Sequence, residues 1–202
     1  MTPEELARRC DWIAARASRR LREANDLRAE FYFGKGAALY RLCTPFVDVA
    51  LNHGDRKEIL FALTRCLVET RGYDCFIMAT DSWSFEGNER YLALTNKERA
   101  ALVDRGFKRL MALGYGKRTE AISVSGQTPD FYHLAVVRYE RDPPRIASTE
   151  STAVDAIKGR STMWGDWDHP RMRETYEAVK ASPITIPGTE AMPMVNIETE
   201  DP

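Results

Sequence analysis

Apolar residues recur every three or four positions through Leu6, Cys10, Ile13, Ala17, Leu21, Ala24, Leu27 and Phe31. That is the period of an α-helix with one apolar stripe. Arg8, Arg9, Arg16, Arg19, Arg20, Arg22 and Arg28 fill the positions between. Thr2 followed by Glu5, with Pro3 between, is an N-terminal capping signature, so one helix is predicted from about Pro3 to Phe33. Its stripe must be satisfied by contact, with its own domain or with a neighbour. Arg20 breaks the heptad spacing, which argues for packing on a globular surface rather than a free-standing coiled coil.

Gly34 and Gly36 interrupt this pattern. Ala37 to Leu51 reads as a second helix, kinked or divided at Pro45. Asp55 and Glu58 open a further helix, with Ile59, Leu60, Leu63, Cys66, Leu67 and Thr70 inward and Gly72 as its stop. Cys75 to Ala79 is apolar on both faces and reads as an interior strand continuing through Trp83. Glu86 to Glu89 reads as a turn and Tyr91 to Leu94 as a short return strand. Thr95 and Glu98 form a capping box for a helix ending at Gly114, with Leu102, Val103, Phe107, Leu110 and Met111 inward.

Two strands follow, Thr119 to Ser125 and Phe131 to Glu140, joined at Gly126 to Asp130. Asp142-Pro143-Pro144 is expected to end the second of them. Past Pro144 the pattern supports short helices at Thr152 to Lys158 and Pro170 to Ala181. A proline-bearing acidic segment from 183 to 202 reads as an extended arm or a disordered tail.

The expected architecture is α+β and two-layered. It has a small antiparallel sheet of about four strands in the order α-β-β-α-β-β, with helices on one face. The expected organisation is an N-terminal helix at 1–36, a core at 37–144, short helices with a tryptophan loop at 145–182, and the tail at 183–202. At 202 residues, 44% hydrophobic and 29% charged, such a core needs no metal or disulfide to fold.

Charge changes the picture only locally, because the net value is −1. That argues against binding nucleic acid through bulk charge. The stretch from Lys97 to Arg118 is nonetheless basic, and Glu174 to the end is acidic. Cys10, Cys43, Cys66 and Cys75 lack any Cys-x-x-Cys spacing and read as reduced core thiols of a cytoplasmic protein. No stretch approaches the length of a membrane span.

Three places could carry chemistry. Asp81 and Glu86 flank a strand end, where with His133 they could hold a divalent ion and serve a metal-dependent hydrolase or nucleic-acid-processing enzyme. The plainer reading is a capped strand end with Trp83 and Phe85 on the sheet edge. Trp164 and Trp167 lie in a Gly/Asp loop with Asp166, Asp168 and His169. They either fold back on the core or await a partner or a base. Lys97, Arg105, Lys108, Arg109, Lys117 and Arg118, with Tyr115, could follow a phosphate backbone; the plainer reading is a solvated helix face.

No dinucleotide fingerprint, P-loop, nucleophile elbow or zincin motif occurs, and neither a cofactor nor a metal is expected. The leading expectation is a non-enzymatic interaction protein. It would dock to another protein or to its own copy, with Arg16, Arg20, Trp164 and Trp167 as candidate contacts.

Overall fold

The computed structural model describes residues 1–25, 27, 29–42, 64–66, 68–69, 71–103, 106–155, 170–181 and 194–196. Helix α1 spans Pro3–Ala24 and opens with the expected capping box: the Thr2 side chain accepts from the Glu5 amide, and Glu5 accepts from the Thr2 amide at 2.7 Å. It stops nine residues short of the predicted end. Asn25 takes a left-handed conformation at φ 49°, which ends the helical ladder. The chain then extends into β1 (Glu30–Lys35).

A hairpin through Gly36 leads to β2 (Ala38–Leu42), in place of the predicted second helix. The remainder of that segment, Pro45 included, lies outside the described residues. Residues 64–66, 68–69 and 71 are helical, with Thr64, Cys66 and Val68 buried, and Gly72 at φ 67° closes the turn.

Strand β3 (Cys75–Gly87) is longer than predicted. Asn88 accepts from the Tyr91 amide and starts α2 (Glu89–Leu92), so Tyr91 to Leu94 is no return strand. The Thr95–Glu98 box holds, with Thr95 N donating to Glu98 at 2.9 Å. The predicted single helix is two, α3 (Asn96–Val103) and α4 (Phe107–Ala112), with Gly106 at φ 86° beside the join. Strands β4 (Gly116–Gln127), β5 (Phe131–Arg141) and β6 (Pro144–Asp155) follow as a meander. The expected helix from Thr152 is therefore strand as far as Asp155. Helix α5 (Pro170–Ala181) lies at the predicted position, and β7 (Met194–Asn196) shows part of the tail extended along β2.

The sheet is antiparallel and curled, in the order β6-β5-β4-β3-β1-β2-β7. Among the described residues it has seven strands rather than about four. The α+β class holds. Helix α1 lies on one face, where Leu6, Cys10, Ile13 and Leu21 are fully buried against Tyr32, Ile77, Val124, Ala135 and Val137. Its stripe is thus satisfied by its own sheet.

Close approach is written into the sequence at two glycines. A Cβ at Gly126 would collide with Cys10 and lie 2.9 Å from Leu6. At Gly34 it would collide with the guanidinium of Arg9, which is 4% exposed and donates to Cys75 Sγ at 3.6 Å and to the Gly36 carbonyl. The opposite face is covered as well. Phe31, Phe33 and Phe76 are fully buried there, with ring centroids 5.3–6.0 Å apart.

Candidate functional site

Alternation along β3 puts Ile77, Ala79, Asp81, Trp83 and Phe85 on the α1 side. The register with β4 adds Ile122, Glu120 and Arg118 to that side, and β5 adds Val137, Tyr139 and Arg141. Helix α1 and the chain after it cover this face as far as a small cleft lined by Arg20, Leu27, Glu30, Thr80 and Asp81. Two residues further along β3, Trp83 is 57% exposed.

Inside the cleft, Glu30 is a buried carboxylate. It takes an ion pair from Arg20, a second from Arg41 at 3.1 Å, and a hydrogen bond from the Tyr32 hydroxyl at 2.8 Å. Burial, with Glu30 adding to it, pushes the Tyr32 hydroxyl well above the ordinary tyrosine range. At the cleft's rim both oxygens of Asp81 are occupied, one by the Tyr139 hydroxyl at 2.8 Å and one by Arg141 at 3.0 Å. Arg141 also donates to the Tyr139 oxygen at 2.8 Å and lies 3.4 Å from Glu120. Burial pushes the Tyr139 hydroxyl up to about 12; Arg141 pulls the other way and Asp81 adds to the rise. Both oxygens of this carboxylate are thereby tied to neighbouring side chains, which fixes its position.

The strand end does not assemble the predicted acid–base group. Asp81 and Glu86 are five residues apart on a regular ladder, so they face opposite sides of the sheet, and Glu86 pairs with Lys117 at 3.3 Å. His133 lies elsewhere. Its Nε2 is 2.7 Å from Ser151 Oγ, which donates to Asp11 at 3.0 Å. A serine giving its proton to Asp11 must accept from the histidine Nε2–H. The histidine's lone pair is then on Nδ1, which is buried with no hydrogen-bond partner. Burial lowers the His133 pKa, with Asp11 opposing. Nucleophile activation needs the carboxylate on the far ring nitrogen, so this trio fastens α1 to β5 and β6. Among the described residues no three His, Cys, Asp or Glu side chains gather as a metal site.

The other predicted contacts scatter. Arg16 lies 5.6 Å from the Trp12 ring centroid, and Arg20 is taken up by Glu30. Lys97, Lys108 and Arg109 are exposed on α3 and α4. Arg105, Trp164 and Trp167 lie outside the described residues, as does Cys43; Cys10, Cys66 and Cys75 are buried free thiols. Among the described members of the basic set, Arg118 is the one that joins an aromatic side chain, its guanidinium 3.3 Å from the Trp83 ring centroid. Arg90 over Tyr115 and Arg99 over Tyr91 repeat that pairing nearby, at 4.5 and 6.0 Å.

The exposed large hydrophobic residues among those described, Trp83, Leu92 and Leu113, all belong to this end of the β3–β4 pair and the helices inserted into it. Sequence reasoning missed Glu120, Tyr139 and Arg141, whose role follows only from register. No known family, curated protein or solved structure to which the chain was compared matches it. Among the described residues no helix is long and apolar enough to cross a membrane.

Proposed function

We propose that the protein is a non-enzymatic interaction protein of the cytoplasm that docks a protein partner at the distal end of β3 and β4, around Trp83. The observation that carries this is the 57% exposure of Trp83 on the core side of the sheet, with Arg118 stacked on its ring. Trp, Tyr and Arg are the residues that dominate binding energy at interfaces. The Asp81–Tyr139–Arg141–Glu120 network holds the neighbouring surface in one arrangement, so little side-chain freedom is lost on contact. The buried free thiols suit the reducing interior of a cell.

Trp83→Ala is expected to leave the melting temperature unchanged and to weaken partner capture roughly 30-fold, the effect of losing about 2 kcal/mol at a hot spot. Capture from native lysate by immobilised wild type and variant, compared side by side, is the measurement. Equal recovery of every captured protein by the two would remove Trp83 from the interface. The arginine–aromatic pairs also suit a single nucleic-acid strand, with bases on the rings and phosphates on the guanidiniums. Labelled oligonucleotides retarded by wild type at low salt, and not by Arg118→Ala, would move the surface to that class.

A further inference from the structure

The geometry points to an isologous dimer in which β6 of one copy pairs antiparallel with β6 of a second copy. This inference does not rest on the Trp83 surface. Strand β6 is twelve residues long and, among the described residues, pairs only with β5, so its outer backbone edge is a template for another strand. What selects a second copy is the strand's own charge pattern.

The register with β5 slips once: Arg138 faces Ser148 while Tyr139 faces Ile146, which leaves Ala147 as an extra, bulged residue. Because of that slip, Arg145 and Glu150, five apart in sequence, return to the same side and the same phase of the ladder. Their β5 partners, Glu140 and Val136, are four apart. A two-fold axis between Ala147 and Ser148 then sets Arg145 of each copy against Glu150 of the other, and Ile146 against Thr149. The opposing charges occur twice, and directly opposed cross-strand charges are the arrangement that fixes register.

Competing symmetric registers centred on Glu150 or on Arg145 set like charges against each other. Within one chain, Arg145 already meets Glu140 at 2.8 Å and Glu150 meets Arg138. Side-chain exposures of 68% for Arg145 and 61% for Glu150 leave both available. In the dimer Glu140, Arg145 and Glu150 of the second copy lie in one row, and Arg138 of the second copy reaches that Glu150 diagonally, so the ion-paired series alternates in sign.

Light scattering on the size-exclusion eluate should give twice the 23.0 kDa chain mass for the wild type. Arg145→Glu alone and Glu150→Arg alone should each elute at the single-chain mass with unchanged circular dichroism, because each opposes like charges across the axis. An equimolar mixture of the two variants should return to the double mass. In the mixed dimer the carboxylate introduced by the first substitution meets the guanidinium introduced by the second, and the native Glu150 of one copy meets the native Arg145 of the other. A wild type at the single-chain mass at every concentration overturns the dimer. Single variants that remain dimeric, or a mixture that does not recover while the wild type is dimeric, overturn this strand pairing.

Discussion

Ile13→Ala should destabilise the protein by roughly 2–5 kcal/mol, the range for emptying a fully buried aliphatic site. Ile13 is 0% exposed and lies in the middle of the α1 stripe, in the same cluster as Ile77, Val124 and Val137 of the sheet. The surrounding strands are held by long ladders on both sides and cannot collapse into the space, which places the cost in the upper part of that range. Arg22→Ala, on the exposed side of the same helix, is expected to stay within about 0.5 kcal/mol. Equilibrium denaturant unfolding of the two variants measures the contrast. Equal, near-zero effects would mean that the stripe is not part of the core.

The second large effect is expected at Glu30. Removing one partner from a buried ionic group leaves the others uncompensated, at a cost of roughly 3–5 kcal/mol. Glu30→Ala removes the carboxylate that Arg20, Arg41 and the Tyr32 hydroxyl share. The two guanidiniums are 24% and 29% exposed, so water offsets part of the loss and the lower end of the range applies. Glu30→Gln keeps acceptor geometry and should fall between wild type and alanine. The same unfolding measurement reads both, and a Glu30→Ala protein as stable as wild type would show that the triad is not coupled to folding.

These two residues also mark where the sequence is legible. The start of α1 is plain, because Thr2, Pro3 and Glu5 act locally and need nothing from the rest of the chain. Its end is misplaced in the sequence pattern because Leu27 and Phe31 keep helical spacing by coincidence. The true signals are Asn25 in a left-handed conformation and the unbroken apolar run Phe31-Tyr32-Phe33, which is buried on both faces of a central strand. Asp142-Pro143-Pro144 does end β5, at Arg141, but Pro144 is also the first residue of β6, where proline is tolerated. The join near Gly106 is hidden because the apolar positions on either side continue one period across it.

The site follows the same division. Asp81 and Trp83 stand out because the buried apolar run of β3 gives way to them. Their neighbours Glu120, Tyr139 and Arg141 come from strands 39 to 60 residues later and meet Asp81 and Trp83 only through register. Spacing alone cannot separate His133 from Asp81, and the ladder sends it to Asp11 and Ser151 instead. The apolar stripe of α1 suggests docking when read alone. With that stripe consumed by the sheet, the proposed contact surface lies instead at Trp83 and Arg118.

Native-state hydrogen exchange tests that central claim most directly. If α1 is one wall of the core, the amides of Cys10 to Leu21 should exchange as slowly as those of Ile122 to Val124 in β4, by the same global opening. Exchange of the helix orders of magnitude faster than β4, with β4 still protected, would show the helix to be a separable arm and return its stripe to a partner.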